Sequence, residues 1–246
     1  MKLNCDLGES FGPWQMGRDE QVMPLIDQAN IACGMHASDP LTMLNTVKLA
    51  QRYNVEIGAH PGYPDKEGFG RRAMALDSDE VYALVLFQVA ALDGVARTVN
   101  AEVGYVKPHG ALYHAMMNDA RTREAILRAV ADFPCDLALV MLANADYQLL
   151  RAEAANFGVN VRFEAFADRA YADNGALLAR DTPGAVHQDH ALILEQAQLI
   201  AHRGQVKTLS GKLLPLPADT LCVHGDNDHA LQAVAAIRQA LADDAS

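Results

Sequence analysis

Ala29-Asn30-Ile31-Ala32-Cys33-Gly34-Met35-His36-Ala37-Ser38-Asp39-Pro40 holds one full passage from strand to helix. The apolar run Ala29 to Cys33 has strand character. Ser38-Asp39-Pro40 then sets a capping oxygen before a proline whose missing N–H costs nothing in a first helical turn. A histidine lies between the two. The same unit recurs outward along the chain, with strands expected at Lys2 to Asp6, Ala29 to Cys33, Val55 to Ala59, Gly104 to Lys107, Leu137 to Met141, Val161 to Ala165 and Leu221 to His224. Between them Leu84, Val85, Val89, Leu92, Val95 and Val99, and later Ile193, Ala197 and Ile200, recur at helical spacing. Thr182-Pro183 reads as another helix start, and Asp77-Ser78-Asp79-Glu80 puts acid near a helix dipole's positive end. Lys212 to Pro217 and the last four residues are expected to fray. Strands alternating with helices mark βα units around a parallel sheet. The expected fold is therefore α/β, a (β/α) barrel of about seven parallel strands forming a single domain over residues 1–246.

The bulk numbers exclude several roles. A chain of 246 residues, 50% of them hydrophobic, can bury a large core, while a net charge of −11 repels a phosphate backbone, so nucleic acid is not an expected partner. No apolar run approaches the roughly 20 residues that span a bilayer, and no basic-then-apolar stretch precedes Met1-Lys2-Leu3-Asn4, so a cytoplasmic location is expected. Cys5, Cys33, Cys135 and Cys222 are too scattered for a zinc knuckle and are expected as reduced thiols. Ser210-Gly211-Lys212-Leu213 lacks the rest of a phosphate-binding loop, and neither a G-x-G-x-x-G nor a G-x-S-x-G motif is present.

In a parallel barrel, ligands bind beyond the carboxyl ends of the strands, so polar residues there carry functional weight. Along Asn4-Cys5-Asp6-Leu7-Gly8-Glu9, alternation puts Asn4 and Asp6 on one face, and Gly8 permits a turn before Glu9. Asp6 suits a metal ligand, a general base or a substrate clamp, and equally a carboxylate that satisfies buried backbone N–H groups. His36 and His60 follow equivalent apolar runs and should reach the same rim, where the fourth strand adds Lys107 and His109. The sixth strand carries Glu164, whose isolated burial would be costly, and leads to Arg169. The seventh ends in His224 and Asp226, a residue as well suited to capping the last helix as to catalysis. Gly68-Phe69-Gly70-Arg71-Arg72 offers guanidinium forks for a carboxylate or phosphate. The catalytic candidates are thus Asp6, Glu9, His36, His60, His109, Glu164, His224 and Asp226, with Asn4, Arg71, Lys107 and Arg169 as substrate-binding candidates. Asp6, His36, His60 and His109 also offer ligand types suited to zinc or manganese.

Taken together, Asn4 to Glu9, Asn30 to Ala37, Ile57 to Pro61, Val106 to Tyr113, Phe166 to Arg169 and His224 to Asp226 resemble the LamB/YcsF family, with the motifs in order over nearly the whole chain. The resemblance implies a barrel like those of the glycoside hydrolase/deacetylase superfamily. It also implies a cyclic-amide hydrolase that converts 5-oxoproline (pyroglutamate), ATP and water to L-glutamate, ADP and phosphate. ATP would be the co-substrate of a complex with two further subunits, PxpB and PxpC. Met35, Ser38 and His114 depart from the family pattern, where Phe, Gly and Asn are expected, so His114 is not expected to be an essential ligand. Two alternatives stay open: a free-standing metal-dependent amide hydrolase or deacetylase, and a non-catalytic lactam-binding regulatory subunit.

Overall fold

Leu3, Cys5 and Leu7 alternate with Asn4 and Asp6 along β1 (Lys2–Leu7), so one side of the strand is apolar and the other polar. The computed structural model, which describes residues 1–180, 182–223 and 228–243, shows what each side faces. β1 closes a parallel barrel with β2 (Gln28–Ala32), β3 (Glu56–His60), β4 (Val103–Val106), β5 (Ala138–Leu142), β6 (Asn160–Phe166) and β9 (Thr220–Cys222), in the order β1-β2-β3-β4-β5-β6-β9. All seven expected strands are present, displaced by one or two residues. Outside the barrel, Leu3, Cys5 and Leu7 join the main apolar core beneath the helices.

Those helices are α1 (Asp19–Val22), α2 (Pro40–Tyr53), α3 (Ser78–Arg97), α4 (Gly110–Asn118), α5 (Ala120–Ala131), α6 (Tyr147–Ala155), α7 (His190–Arg203) and α8 (Asp228–Asp243). Val85, Val89 and Leu92 are buried as the spacing along α3 requires, and Ile193, Ala197 and Ile200 are buried on α7. Asp39 caps α2 by accepting from the Leu41 and Thr42 N–H groups, and Asp77 with Glu80 forms a reciprocal capping box on α3. No helix among the described residues is long and apolar enough to cross a membrane.

The lumen is largely polar. Register places Asn4 beside Gln28 and Asp6 beside Asn30, and a chain of hydrogen bonds joins Arg162, Glu56, Gln28, Thr220, Asn4 and Asn30. Tyr105, Ala138 and Val140 form a separate inner apolar cluster. Gly58 makes room for it, since a Cβ there would overlap the Tyr105 ring.

Two expectations are corrected. Thr182-Pro183 does not start a helix: the Thr182 carbonyl accepts from the Ala185 N–H at 3.0 Å and Gly184 has φ +80°, so Pro183-Gly184 occupies the centre of a tight turn. α7 begins later, capped by Asp189. The segment expected to fray from Lys212 instead contributes β8 (Leu213–Pro215), which pairs antiparallel with β7 (Gln205–Lys207) and leads to the buried Leu216.

Candidate active site

Each barrel strand delivers its last inward side chain to one end of the lumen, so period-two alternation and parallel register set the site's contents. Asp6 arrives from β1, His60 from the end of β3, Lys107 from just beyond β4, Glu164 from β6 and Cys222 from β9. Glu9, His36 and His109 come from the turns that follow β1, β2 and β4.

Lys107 lies at the centre of the polar group. Its Nζ is 3.0 Å from Asp6 Oδ1, 3.0 Å from a Glu164 carboxylate oxygen, 3.2 Å from Asn4 Oδ1 and 3.3 Å from Cys222 Sγ. Burial works against its charge, but Asp6, Cys222 and Glu164 outweigh that and hold its pKa well above the usual lysine value. Asp6 Oδ1 also accepts from Asn30 Nδ2 at 2.7 Å, while Oδ2 faces His60 Nε2 at 3.3 Å. Glu164 is fully buried. Apart from its ion pair with Lys107, neither of its oxygens has a formed hydrogen bond among the described residues, and the nearby Tyr113 hydroxyl has none either.

The three histidines stack and cross. His36 and His109 lie parallel with centroids 3.8 Å apart, and His60 stands edge-on to both. Backbone carbonyls fix two of the tautomers, because a carbonyl oxygen can only accept. His60 Nδ1–H donates to the Lys107 carbonyl at 2.7 Å, and His109 Nε2–H donates to the Phe69 carbonyl at 2.8 Å. His60 Nε2 and His109 Nδ1 are left facing each other at 3.0 Å. Glu9 Oε1 completes the group, 3.3 Å from His36 Nε2 and 3.7 Å from His109 Nδ1. Burial, then the neighbouring His60, pushes His109 down to about 3, and burial with His109 and His60 holds His36 well below the usual histidine value. Both rings are therefore neutral at neutral pH. Burial pushes the Cys33 thiol up to about 12 and Cys222 well above its usual value, which opposes a thiolate mechanism.

The structure thus brings Asn4, Asp6, Glu9, His36, His60, Lys107, His109 and Glu164 together at one end of the barrel. Arg71 sits exposed nearby, its guanidinium over the Phe69 ring at 5.0 Å. Arg169 is placed differently: buried, it donates to the Ala185 and Leu178 carbonyls and braces the loop after β6. His224 and Asp226 lie outside the described residues. Sequence reasoning missed Asn30, whose lumen-facing parity matches that of Asp6 one strand away, and the Phe69 carbonyl, which has no side-chain signature. Phe69 has φ +54°, an uncommon conformation for a bulky residue, in the turn that aims its carbonyl at His109.

The description "LamB/YcsF family" fits a family model that matches residues 1–246. Among curated relatives, a 5-oxoprolinase subunit of Pseudomonas putida is 52% identical over 97% of this chain and 93% of its own. The corresponding 5-oxoprolinase subunit of Vibrio campbellii is 49% identical over 98% of this chain and 95% of its own. Among solved structures, a lactam utilization protein from Thermus thermophilus superposes with a TM-score of 0.92 at 40% identity, over 100% of this chain and 97% of that one.

Proposed function

The chain belongs to the LamB/YcsF family, and on that premise we propose that it is one component of an ATP-dependent 5-oxoprolinase that hydrolyses the lactam 5-oxoproline to L-glutamate. In this reading ATP is cleaved to ADP and phosphate by a cytoplasmic complex with two partner subunits, PxpB and PxpC. Curated relatives about half identical along almost the whole chain are named as 5-oxoprolinase subunits, which is the observation that supports the reading. The absence of a nucleotide-binding motif in the sequence fits ATP handling on the partners.

The site's chemistry suits amide hydrolysis. A lactam is a stable amide, and phosphoryl transfer to its carbonyl oxygen would activate the carbon toward water; ring opening then leaves an acyl phosphate, whose hydrolysis by a second water releases L-glutamate and phosphate. Arg71, exposed beside Phe69, would receive the substrate carboxylate. The facing pair His60 and His109 would take a proton from the attacking water and return one to the ring nitrogen as the C–N bond breaks. Asp6, ion-paired with the buried Lys107 ammonium, would stabilise the His60 imidazolium through Oδ2 once Nε2 has taken the proton. His109→Ala is expected to lower 5-oxoproline-dependent release of glutamate and ADP by the reconstituted complex by roughly two to four decades. Undiminished turnover would overturn the assignment.

A second reading, a free-standing metal-dependent amide hydrolase, is favoured by one observation, the convergence of Glu9, His36, His60 and His109. Lactam hydrolysis by the isolated chain with metal and without ATP would select it.

A further inference from the structure

The geometry points to a binding site for a first-row divalent transition metal, zinc foremost, and we propose that Glu9, His36, His60 and His109 are its ligands. One donor atom from each of these residues lies within 4.8 Å of the other three. The tautomers carry the argument. With His60 Nδ1–H and His109 Nε2–H given to backbone carbonyls, each ring offers a lone pair on its other nitrogen, and those lone pairs face each other at 3.0 Å. Two lone pairs that close repel unless a cation lies between them or beside them. A proton shared by His60 and His109 would answer that repulsion without drawing on Glu9 or His36, which meet each other at 3.3 Å beside the pair. A metal ion uses all four.

The dimensions agree. Zn–N and Zn–O bonds of about 2.0–2.2 Å in a tetrahedron place the donors about 3.3–3.5 Å apart. The separations here are 3.0 Å for His60 to His109, 3.3 Å for Glu9 to His36 and 3.7 Å for Glu9 to His109. A second ring nitrogen anchored on a carbonyl is also how metal-bound histidines are usually oriented. Two glycines hold the rings in place: a Cβ at Gly62 would come within 2.6 Å of His36 Nδ1, and one at Gly70 within 2.7 Å of His36 Cβ and 2.9 Å of His109 Cδ2. The group that converges takes in Glu9 rather than Asp6, whose Oδ1 contacts Lys107 and Asn30 and whose Oδ2 lies 3.3 Å from His60 Nε2.

This assignment does not depend on which amide the protein cleaves, but it makes the lone pairs of His60 and His109 metal ligands in place of the proton carriers of the reading above, so its test reads the metal directly. Chain purified without chelator or metal-affinity tag is expected to carry about one equivalent of a transition metal by elemental analysis, as a closed four-ligand site would. After stripping, Zn2+ and Co2+ titrated by calorimetry should rebind, with cobalt giving visible d–d absorption. Glu9→Gln and His109→Ala, each checked for folding by circular dichroism, should weaken binding by at least about 100-fold. Failure of the wild-type chain to bind either ion would overturn the proposal. So would unchanged stoichiometry and affinity in both folded variants, because the ion would then sit elsewhere.

Discussion

Lys107 shows how much one residue's role depends on what lies across the barrel. Its side chain is 4% exposed and its ammonium contacts two carboxylates, so replacing it leaves those carboxylates facing each other without the cation between them. Lys107→Met is expected to lower stability by about 3–5 kcal/mol in urea unfolding, the usual penalty for breaking a buried pair from one side. Adding Glu164→Gln should recover part of that loss, whereas additive losses in the double variant would show that the two side chains are not coupled. The sequence marked Lys107 as a residue at a strand end, and it is one. Its partners were not legible, because Asp6 is 101 residues away and Cys222 is 115 residues away in the other direction. Parity says that a side chain faces the lumen, but not which others it meets there. The same limit hid the difference between Asp6 and Glu9 at the histidine cluster.

At the scale of elements, turns and caps carry the readable information and also the two misreadings. Ser38 stands where the family resemblance implies glycine, and it has φ +72°. That conformation costs an L-residue about 1–2 kcal/mol, partly offset by glycine's larger loss of chain entropy on folding. Ser38→Gly is therefore expected to raise stability by about 0.5–1 kcal/mol, read as a shift of the denaturant midpoint at unchanged slope. In the opposite direction, Asp77→Ala removes one half of the α3 capping box and should lower stability by about 1 kcal/mol. An unchanged midpoint would mean that the exposed box contributes nothing. Thr182-Pro183 resembled a helix start because Thr before Pro serves both helices and turns. Gly184 decides between them, since φ +80° suits the third position of a type II turn and would break a first helical turn. β8 escaped notice because three residues are too few to show a period.

Over the whole molecule, loop carboxylates set the response to acid. Hydrogen bonds from Gly12 N–H and Thr42 N–H hold Asp39 down to about 2, and the Arg72 side chain likewise depresses Asp65. Asp119 and Asp173 are lowered by their Thr122 and Thr208 partners. A carboxylate with a depressed folded pKa stabilises the fold fully above its unfolded value near 3.9, and the contribution disappears as pH falls toward the folded value. The melting temperature is expected to hold from neutral pH down to about 4 on this account and to fall between about 4 and 2, less steeply in Asp39→Asn. An identical slope in that variant would remove Asp39 from the explanation. Asp39 also ties the β1–α1 loop to α2 through Gly12, a contact that no local pattern announced. By itself the sequence determined the barrel, its seven strands within one or two residues and the end at which the polar side chains gather, because period-two alternation, helical spacing and capping are local properties written in adjacent residues. Only the tertiary structure decided that Lys107 is enclosed by Asp6, Glu164 and Cys222, that Arg169 braces a loop, and that two histidine lone pairs meet at 3.0 Å beside Glu9. Those facts arise where closure of the sheet brings distant strands together, and closure distances are set by packing of the whole barrel rather than by any stretch of the chain.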